Sequence, residues 1–217
     1  MSSLKRSCLF VAALALGIPG SLPAQSTEEV HHVTVSAGAG FTAVTNEMAG
    51  KLDHGGNIQL NGGYFFNERV GITGNFMFSR LGLTGPALRQ LNQPDGSARV
   101  YALTADPTLR VPLGHGVSVY GLVGGGYMRR TVEFTRPTLA STLILNPWWG
   151  YLGPALVPIN VVLGSVISDS SVFDVGAGIN IGMPRVDRKV FLEVRYFRGF
   201  TGNTDTTLVP ITFGFRW

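Results

Sequence analysis

The last nine residues of the chain, 209–217, read VPITFGFRW. Large apolar residues alternate here with small or polar residues, and the final residue is aromatic. Because successive side chains of a β-strand point to opposite faces, this period of two predicts a strand with one apolar face. The strand therefore separates an apolar environment from a more polar one.

The composition of the whole chain fits that interpretation. Only 14% of the 217 residues are charged, against about 25% in ordinary soluble domains. Glycine accounts for 29 residues, and 45% of the chain is hydrophobic. A disordered chain would be polar and rich in charge, and a soluble domain needs a charged exterior. The chain is expected to face something other than water over much of its surface.

The first residues are typical of a secretory signal peptide. Lys5 and Arg6 precede an apolar core at residues 8–18, which is too short to span a bilayer as a helix. Cleavage is expected after Ala24, giving a signal peptide at 1–24 and one barrel domain at 25–217. Because cleavage removes Cys8, the only cysteine, neither a disulfide nor a thiolate metal site is expected.

The charge distribution gives no sign of nucleic-acid binding. The formal net charge is +4, and loss of the two basic residues of the signal peptide lowers it further. The chain has no run rich in Lys or Arg that would form a strongly basic surface. We therefore expect no nucleic-acid partner.

A chain of this kind crosses a membrane either as helices or as a closed barrel, because lipid cannot pair with an exposed backbone. The longest uncharged stretch, 137–168, is interrupted by Pro147, Pro154 and Pro158, and a proline costs a helix interior about 3 kcal/mol. Alternation with a period of two is far more widespread. It predicts eight strands, near 32–44, 56–66, 69–82, 98–111, 117–134, 169–182, 189–200 and 207–217.

The predicted connections alternate in length along the chain. Those after the second, fourth and sixth strands are short, and the others are generally longer. This alternation is typical of bacterial outer-membrane barrels. We therefore predict an all-β fold, a transmembrane eight-stranded antiparallel up-and-down β-barrel with short periplasmic turns and longer outer loops. The even number of strands places both ends of the barrel domain on the periplasmic side.

The terminal strand also carries a resemblance to known proteins. Phe213 and Phe215 alternate toward a final aromatic residue, Trp217, and this pattern resembles the last strand of outer-membrane proteins. With its signal peptide and eight strands, the chain resembles the small OmpA/OmpX-like outer-membrane barrels. The resemblance implies a bacterial outer-membrane location after Sec-type export. It also implies that the three aromatic residues form the assembly signal read by the barrel-assembly machinery.

Polar side chains on the inner face of the strands predict a plugged lumen. Eight strands enclose an interior just wide enough for side chains, and charged groups placed there need partners. We expect the arginines to neutralise the carboxylates in an ion-paired network, and the alternative is a narrow or gated pore. The predicted network consists of Asp106, Arg110, Asp174, Glu193 and Arg195.

The predicted topology also places a set of arginines at the outer rim. Arginine suits bidentate contacts with phosphate, and the outer leaflet of this membrane carries phosphorylated lipopolysaccharide. We expect outer-membrane lipid and lipopolysaccharide as partners of the rim, and the alternative is a set of unrelated solvated charges. The rim residues are Arg80, Arg99, Arg129, Arg130 and Arg198.

The third outer loop, predicted at 135–168, is too apolar for an ordinary solvated loop. An exposed apolar patch usually marks a contact surface. Trp148, Trp149 and Tyr151 are predicted to contact a protein partner, a host surface or the outer leaflet, since Trp and Tyr favour membrane interfaces. Two alternatives stay open: the loop folds over the barrel mouth, or it extends strands five and six.

The histidines give little indication of catalysis. Asp53 and His54 lie on the predicted outer side, where a triad would require a serine close to them in space. His31 and His32 point to opposite faces of a strand and do not suit a metal site. We predict a non-enzymatic structural or surface-interaction protein without a cofactor or metal. The alternatives are a lipid A-modifying enzyme or narrow porin on the same barrel, and a soluble lipocalin-like barrel with its apolar faces inside.

Overall fold

The computed structural model describes residues 32–45, 48–145, 148, 150–183, 188–200 and 205–217. The predicted signal peptide therefore lies outside the described residues. Within them, eight strands form a closed barrel in which each strand is antiparallel to the next and β8 pairs with β1, as predicted. The strands are β1 (Val33–Val44), β2 (Leu52–Phe65), β3 (Val70–Leu83), β4 (Asp95–Gly114), β5 (Val117–Leu145), β6 (Leu152–Gly182), β7 (Lys189–Phe200) and β8 (Thr206–Arg216).

The barrel closes where its first and last strands meet. The Val35 amide donates to the Trp217 carbonyl over 3.1 Å, and the Trp217 amide donates to the Val35 carbonyl over 2.8 Å. The connections after β2, β4 and β6 lie at this same end, which we call the turn end, and the opposite end is the loop end. The β4–β5 turn is the tightest, with positive φ at Gly114, His115 and Gly116. Two of these three positions are glycine because that residue adopts a positive φ at little cost.

Side chains alternate strictly between the inner and outer faces, as strand β8 shows. Phe213, Phe215 and Trp217 point outward and are about half exposed, whereas Thr212 and Arg216 point inward and are buried. The outer surface of the barrel is thus apolar and its interior holds polar groups. A soluble lipocalin-like barrel requires the reverse arrangement, so that alternative is wrong.

The lumen is divided into two layers, a division that the sequence pattern did not predict. The polar plug, which was predicted, occupies the middle and the turn end. The loop end is instead filled by an apolar cluster contributed by all eight strands and by the β1–β2 connection. Its members are Val44, Met48, Leu52, Met77, Leu81, Leu83, Ala98, Val100, Ala102, Met128, Val172, Phe197 and Leu208.

Strands β5 and β6 are 29 and 31 residues long, and they extend far beyond the other strands. The prediction of a loop at 135–168 is wrong, and the alternative that these residues extend strands five and six is confirmed. The outermost part is a two-stranded ribbon, with a continuous register from the pair Thr135 and Val162 to the pair Leu145 and Leu152. Pro154 and Pro158 are tolerated there because β6 is an edge strand at this height and pairs with β7 only from Ser171 onward.

The β3–β4 connection contains a short helix, α1 (Gly85–Gln90), which the sequence pattern did not predict. Thr84 caps it by accepting a hydrogen bond from the Ala87 amide, and proline stands in its first turn, where a missing amide donor costs nothing. No helix among the described residues is long and apolar enough to cross a membrane.

Candidate functional site

Arg195 on β7 is the centre of the polar layer. Its guanidinium is 1% exposed and contacts three carboxylates from three strands. Nε donates to Glu193 Oε1 over 2.6 Å, and Nη1 donates to Asp106 Oδ2 over 2.6 Å and to Asp174 Oδ2 over 3.0 Å. The structure therefore brings together four of the five residues predicted for the lumen network.

Glu193 is the most completely paired of the three carboxylates. Besides Arg195, it accepts hydrogen bonds from the Gln59 amide and from the Tyr120 hydroxyl, the latter over 2.6 Å. Arg216 Nη2 lies 3.9 Å from Glu193 Oε2. These partners supply the compensation that a buried charge needs.

Sequence reasoning missed two members of this layer, Tyr120 and Arg216. Arg216 stacks over the Tyr120 ring with its guanidinium carbon 4.5 Å from the ring centroid, and it donates to Asn180 Oδ1 over 2.8 Å. The alternation along β8 had already placed Arg216 opposite the outward aromatic residues. This alternation alone is enough to identify Arg216 as a residue of the lumen.

Arg110, the fifth predicted member, lies at the turn end of the lumen. Its guanidinium carbon is 3.9 Å from the centroid of the Phe65 ring, which is buried. Such stacking of arginine on an aromatic face is a favourable cation–π contact. Arg110 thus lies on the inner face, as predicted. It stacks on an aromatic ring between the cluster around Arg195 and the turn end.

Glycines make room for the charged cluster. A β-carbon added at Gly176 would lie 2.8 Å from Arg195 Cγ, and one added at Gly178 would lie 2.5 Å from Tyr120 Oη. At Gly124 an added β-carbon would overlap Asp106 Oδ1. The missing side chains at these three positions thus leave the space that the charged and polar groups occupy.

The rim arginines differ in their surroundings. Three of them form ion pairs with carboxylates of neighbouring segments; the pair of Arg99 is partly buried, and the pairs of Arg129 and Arg198 are exposed. They are Arg99 with Glu133 at 2.6 Å, Arg129 with Asp169 at 2.8 Å, and Arg198 with Asp205 at 2.8 Å. Each pair leaves little net charge for an external anion.

The other two rim arginines point in opposite directions. Arg130 turns into the mouth of the barrel, where Nη1 donates to Thr206 Oγ1 over 2.7 Å. Arg80 is exposed and lies beside Arg99 in the register of β3 and β4. Within the described residues, Arg80 makes no ion pair. The part of the rim formed by Arg80 and Arg99 therefore carries more positive charge than negative.

The β5–β6 ribbon has two faces, because directly paired residues of an antiparallel ladder share a face. One face, the leucine face, carries six large aliphatic side chains that are each more than half exposed. They are Leu139, Leu143, Leu145, Leu152, Leu156 and Val162. The opposite face carries Ile144, Ile159 and Val161, which are less exposed. At the tip, Trp148 is 88% and Tyr151 58% exposed, whereas Trp149 lies outside the described residues.

The histidine considered for a triad has other contacts. His54 Nδ1 accepts a hydrogen bond from the Val44 amide over 3.3 Å, and its ring lies 5.5 Å from that of Phe41. Among the described residues, no group of three or more His, Cys, Asp or Glu side chains is arranged to hold a metal ion. His31 lies outside the described residues.

Comparisons with known proteins agree with this architecture. Residues 10–216 match the family described as outer membrane protein beta-barrel domain. No curated protein matches the chain. Among solved structures, Neisserial surface protein A is similar at 13% identity and a TM-score of 0.55, over 85% of this chain and 96% of that one.

Two other solved barrels are similar at lower TM-scores. Ail, the attachment invasion locus protein of Yersinia pestis, is 20% identical with a TM-score of 0.48, over 85% of this chain and 97% of that one. The N-terminal barrel domain of OprF from Pseudomonas aeruginosa is 13% identical with a TM-score of 0.39, over 86% and 98%. Identities this low concern the fold alone.

Proposed function

Because the chain belongs to the outer membrane protein β-barrel domain family, and is therefore a transmembrane barrel of the bacterial outer membrane, we propose that it is a non-enzymatic scaffold for surface contacts. The ribbon formed by β5 and β6 is the proposed contact surface. The partner is a protein or a host surface that presents apolar groups. A lipid-modifying enzyme and a narrow porin are the less favoured alternatives.

The exposed leucine face of the ribbon is the observation that carries this proposal. A rise of about 3.4 Å per residue gives the eleven register pairs of the ribbon a length of about 34 Å. Residues 137–168 contain no charge, and large exposed apolar patches usually mark interaction sites. The ribbon extends beyond the exposed ion pair of Arg129 and Asp169, away from the barrel toward the loop end.

The filled lumen supports a scaffold over a porin. The Arg195 cluster occupies the middle of the barrel, and the apolar cluster around Met77 and Phe197 closes the loop end. A solute would have to displace both layers. Close packing and compensated charge instead stabilise the barrel that carries the ribbon.

Shortening the ribbon tests the proposed role. Residues 138–159 are replaced by Asn-Gly, a dipeptide that favours a two-residue hairpin turn. The barrel is expected to assemble normally, because β4 pairs with β5 only as far as Thr135. Adhesion of bacteria that produce the shortened protein to epithelial cells is expected to decrease at least tenfold, since each buried leucine contributes about 1.5–3 kcal/mol.

A face-specific comparison serves as the control for this experiment. Leu139, Leu143 and Leu156 are changed to serine in one variant, and Ile144 and Ile159 of the opposite face are changed to threonine in another. Only the first variant is expected to lose adhesion, at equal surface levels judged by the mobility shift on boiling. Equal adhesion of wild-type and shortened proteins would contradict a contact role, and failed assembly would make the ribbon part of the barrel's folding core.

Lipopolysaccharide phosphates are the proposed partners of the rim arginines. The adjacent Arg80 and Arg99, with Glu133 as the carboxylate beside them, form the part of the rim best suited to an anion. The change Arg80→Gln is expected to lower lipopolysaccharide co-purification several-fold. Arg129→Gln, which removes an arginine already paired with Asp169, is expected to have a smaller effect, and equal retention in both variants would count against the rim as a binding site.

Assembly through the barrel-assembly machinery is also part of the proposal. Phe213 and Phe215 of β8 and Trp217, the residue that follows it, all point outward, and the resemblance to other outer-membrane proteins assigns the signal to these residues. Their common outward orientation at the end of the chain supports this assignment.

A further inference from the structure

Two carboxyl groups meet in the middle of the lumen. Asp106 on β4 and Asp174 on β6 flank the intervening strand β5, where Gly124 is the register partner of Asp174. Asp106 Oδ1 lies where a side chain of residue 124 would begin, so the carboxyl group reaches across the glycine toward β6. Arg195 Nη1 lies 2.6 Å from Asp106 Oδ2 and 3.0 Å from Asp174 Oδ2, so the two carboxyl groups are immediate neighbours around one nitrogen atom.

The surrounding charges do not balance two ionised aspartates. Facing the pair are Glu193 and Arg195 from β7, Arg216 from β8 and the Tyr120 hydroxyl from β5. Arg195 Nε is engaged by Glu193, which leaves Nη1 to be shared by both aspartates. Three carboxyl groups thus face two guanidinium groups in a site whose aspartates are 0% exposed. An uncompensated charge in such a place is strongly destabilising.

The remaining arginines on the inner face lie in other layers. Arg110 stacks on Phe65 at the turn end, and Arg130 bonds to Thr206 at the loop end. Within the described residues, the Oδ1 atoms of Asp106 and Asp174 are both buried without a hydrogen-bond donor. Each aspartate therefore has one oxygen on the guanidinium and one oxygen in need of a proton donor.

We propose that Asp106 and Asp174 bind one proton between them. Two carboxylates that share a site do not both ionise readily, and such a pair titrates as a unit. One bound proton leaves two negative charges opposite the two guanidinium groups. The pair is thus a buried proton-binding site, placed where the polar layer meets Phe197 of the apolar cluster.

The proposal predicts a specific dependence of stability on pH. In the unfolded chain both aspartates ionise near pH 4, so above about pH 5 the folded protein binds one more proton than the unfolded protein. Because the folded state then holds the extra proton, the folding equilibrium constant loses about tenfold per pH unit as pH rises, until the pair itself deprotonates. This contribution is measured by urea unfolding of the purified barrel in phosphatidylcholine vesicles between about pH 5 and pH 8.

Asp174→Asn isolates the contribution, because asparagine keeps the shape of the side chain but binds no proton. The folding equilibrium constant of this variant is expected to lack the wild-type loss of about tenfold per pH unit. Asp169→Asn, on the same strand but in the exposed pair with Arg129, is the matched control and keeps the wild-type slope. Identical slopes in the wild type and Asp174→Asn would overturn the proposal.

Two further measurements complete the test. The free energy of unfolding at constant pH is expected to be the same in sodium, potassium and choline chloride. A higher stability in sodium or potassium chloride than in choline chloride would show that the site binds a metal cation instead of a proton. If Asp174→Asn does not fold, infrared spectroscopy of the wild type decides the question. A carbonyl band of a protonated carboxyl group at neutral pH is expected, and its absence would overturn the proposal.

Discussion

The substitution Arg195→Gln is expected to destabilise the barrel by about 3–5 kcal/mol, the cost of removing one partner from a buried ion pair. Arg195 is the only cation within 3.0 Å of Asp106 and Asp174 among the described residues, and it also pairs with Glu193. Glutamine is neutral and offers fewer donors than guanidinium. The loss is measured as a lower urea midpoint for unfolding in lipid vesicles, followed by the mobility shift on boiling.

Arg198→Gln is the matched control for that measurement. Arg198 lies three residues further along β7 and pairs with Asp205, but the two side chains are 50% and 37% exposed. Exposed ion pairs contribute at most about 1 kcal/mol, so the midpoint is expected to change little. Similar losses in the two variants would show that burial of the Arg195 cluster does not determine its contribution.

The substitution Gly214→Val is expected to weaken closure of the barrel by about 3 kcal/mol, the upper end of the usual cost of overpacking a filled interior. Gly214 faces Gly38 across the β1–β8 seam and neighbours Phe191 on β7. A β-carbon at residue 214 would lie 2.5 Å from the Gly38 α-carbon and would also overlap the Ala37 carbonyl group. Because these are backbone atoms, the clash is relieved only by separating the two strands.

Refolding from urea into lipid vesicles measures this effect without the assembly machinery, so a defect in the terminal signal does not confuse the result. Gly62→Val is the control, because an added β-carbon there meets no atom within 4 Å. The control is expected to refold like the wild type. A folded Gly214→Val barrel with wild-type stability would mean that the seam has room for a side chain.

The two substitutions test different requirements of a narrow barrel. Arg195 represents the need to compensate charge within a closed lumen, and Gly214 represents the need for space where the last strand meets the first. Both requirements are met by residues on the inner face. The outer face, by contrast, tolerates a β-carbon at Gly62 because nothing packs against it there.

Much of the fold was predictable from local sequence pattern. Alternation with a period of two depends only on the strand backbone, so the facing of Phe213, Phe215 and Arg216 follows from their spacing alone. The same parity placed Asp106, Asp174, Glu193 and Arg195 in the lumen. Their shared need for compensation already predicted an ion-paired network.

The ribbon and the layering of the lumen were not predictable in this way. Strands were predicted at 117–134 and 169–182 with a loop between them, and the prolines were used only to argue against a helix. Pro154 and Pro158 instead lie in β6 where β5 is its one partner strand among the described residues. The apolar cluster at the loop end gathers side chains from all eight strands, and their relative heights depend on the stagger of the strands. No local window of sequence contains that information.

The sequence by itself determined the class of fold, the inward and outward faces of each strand and the apolar character of the outermost segment, because each of these depends on residue type and parity. Only the tertiary structure decided which charges meet. Asp106 and Asp174 are far apart in the chain, and they approach each other because the register of three strands places Gly124 between them. Distances across the lumen depend on register and closure, which are properties of the whole barrel.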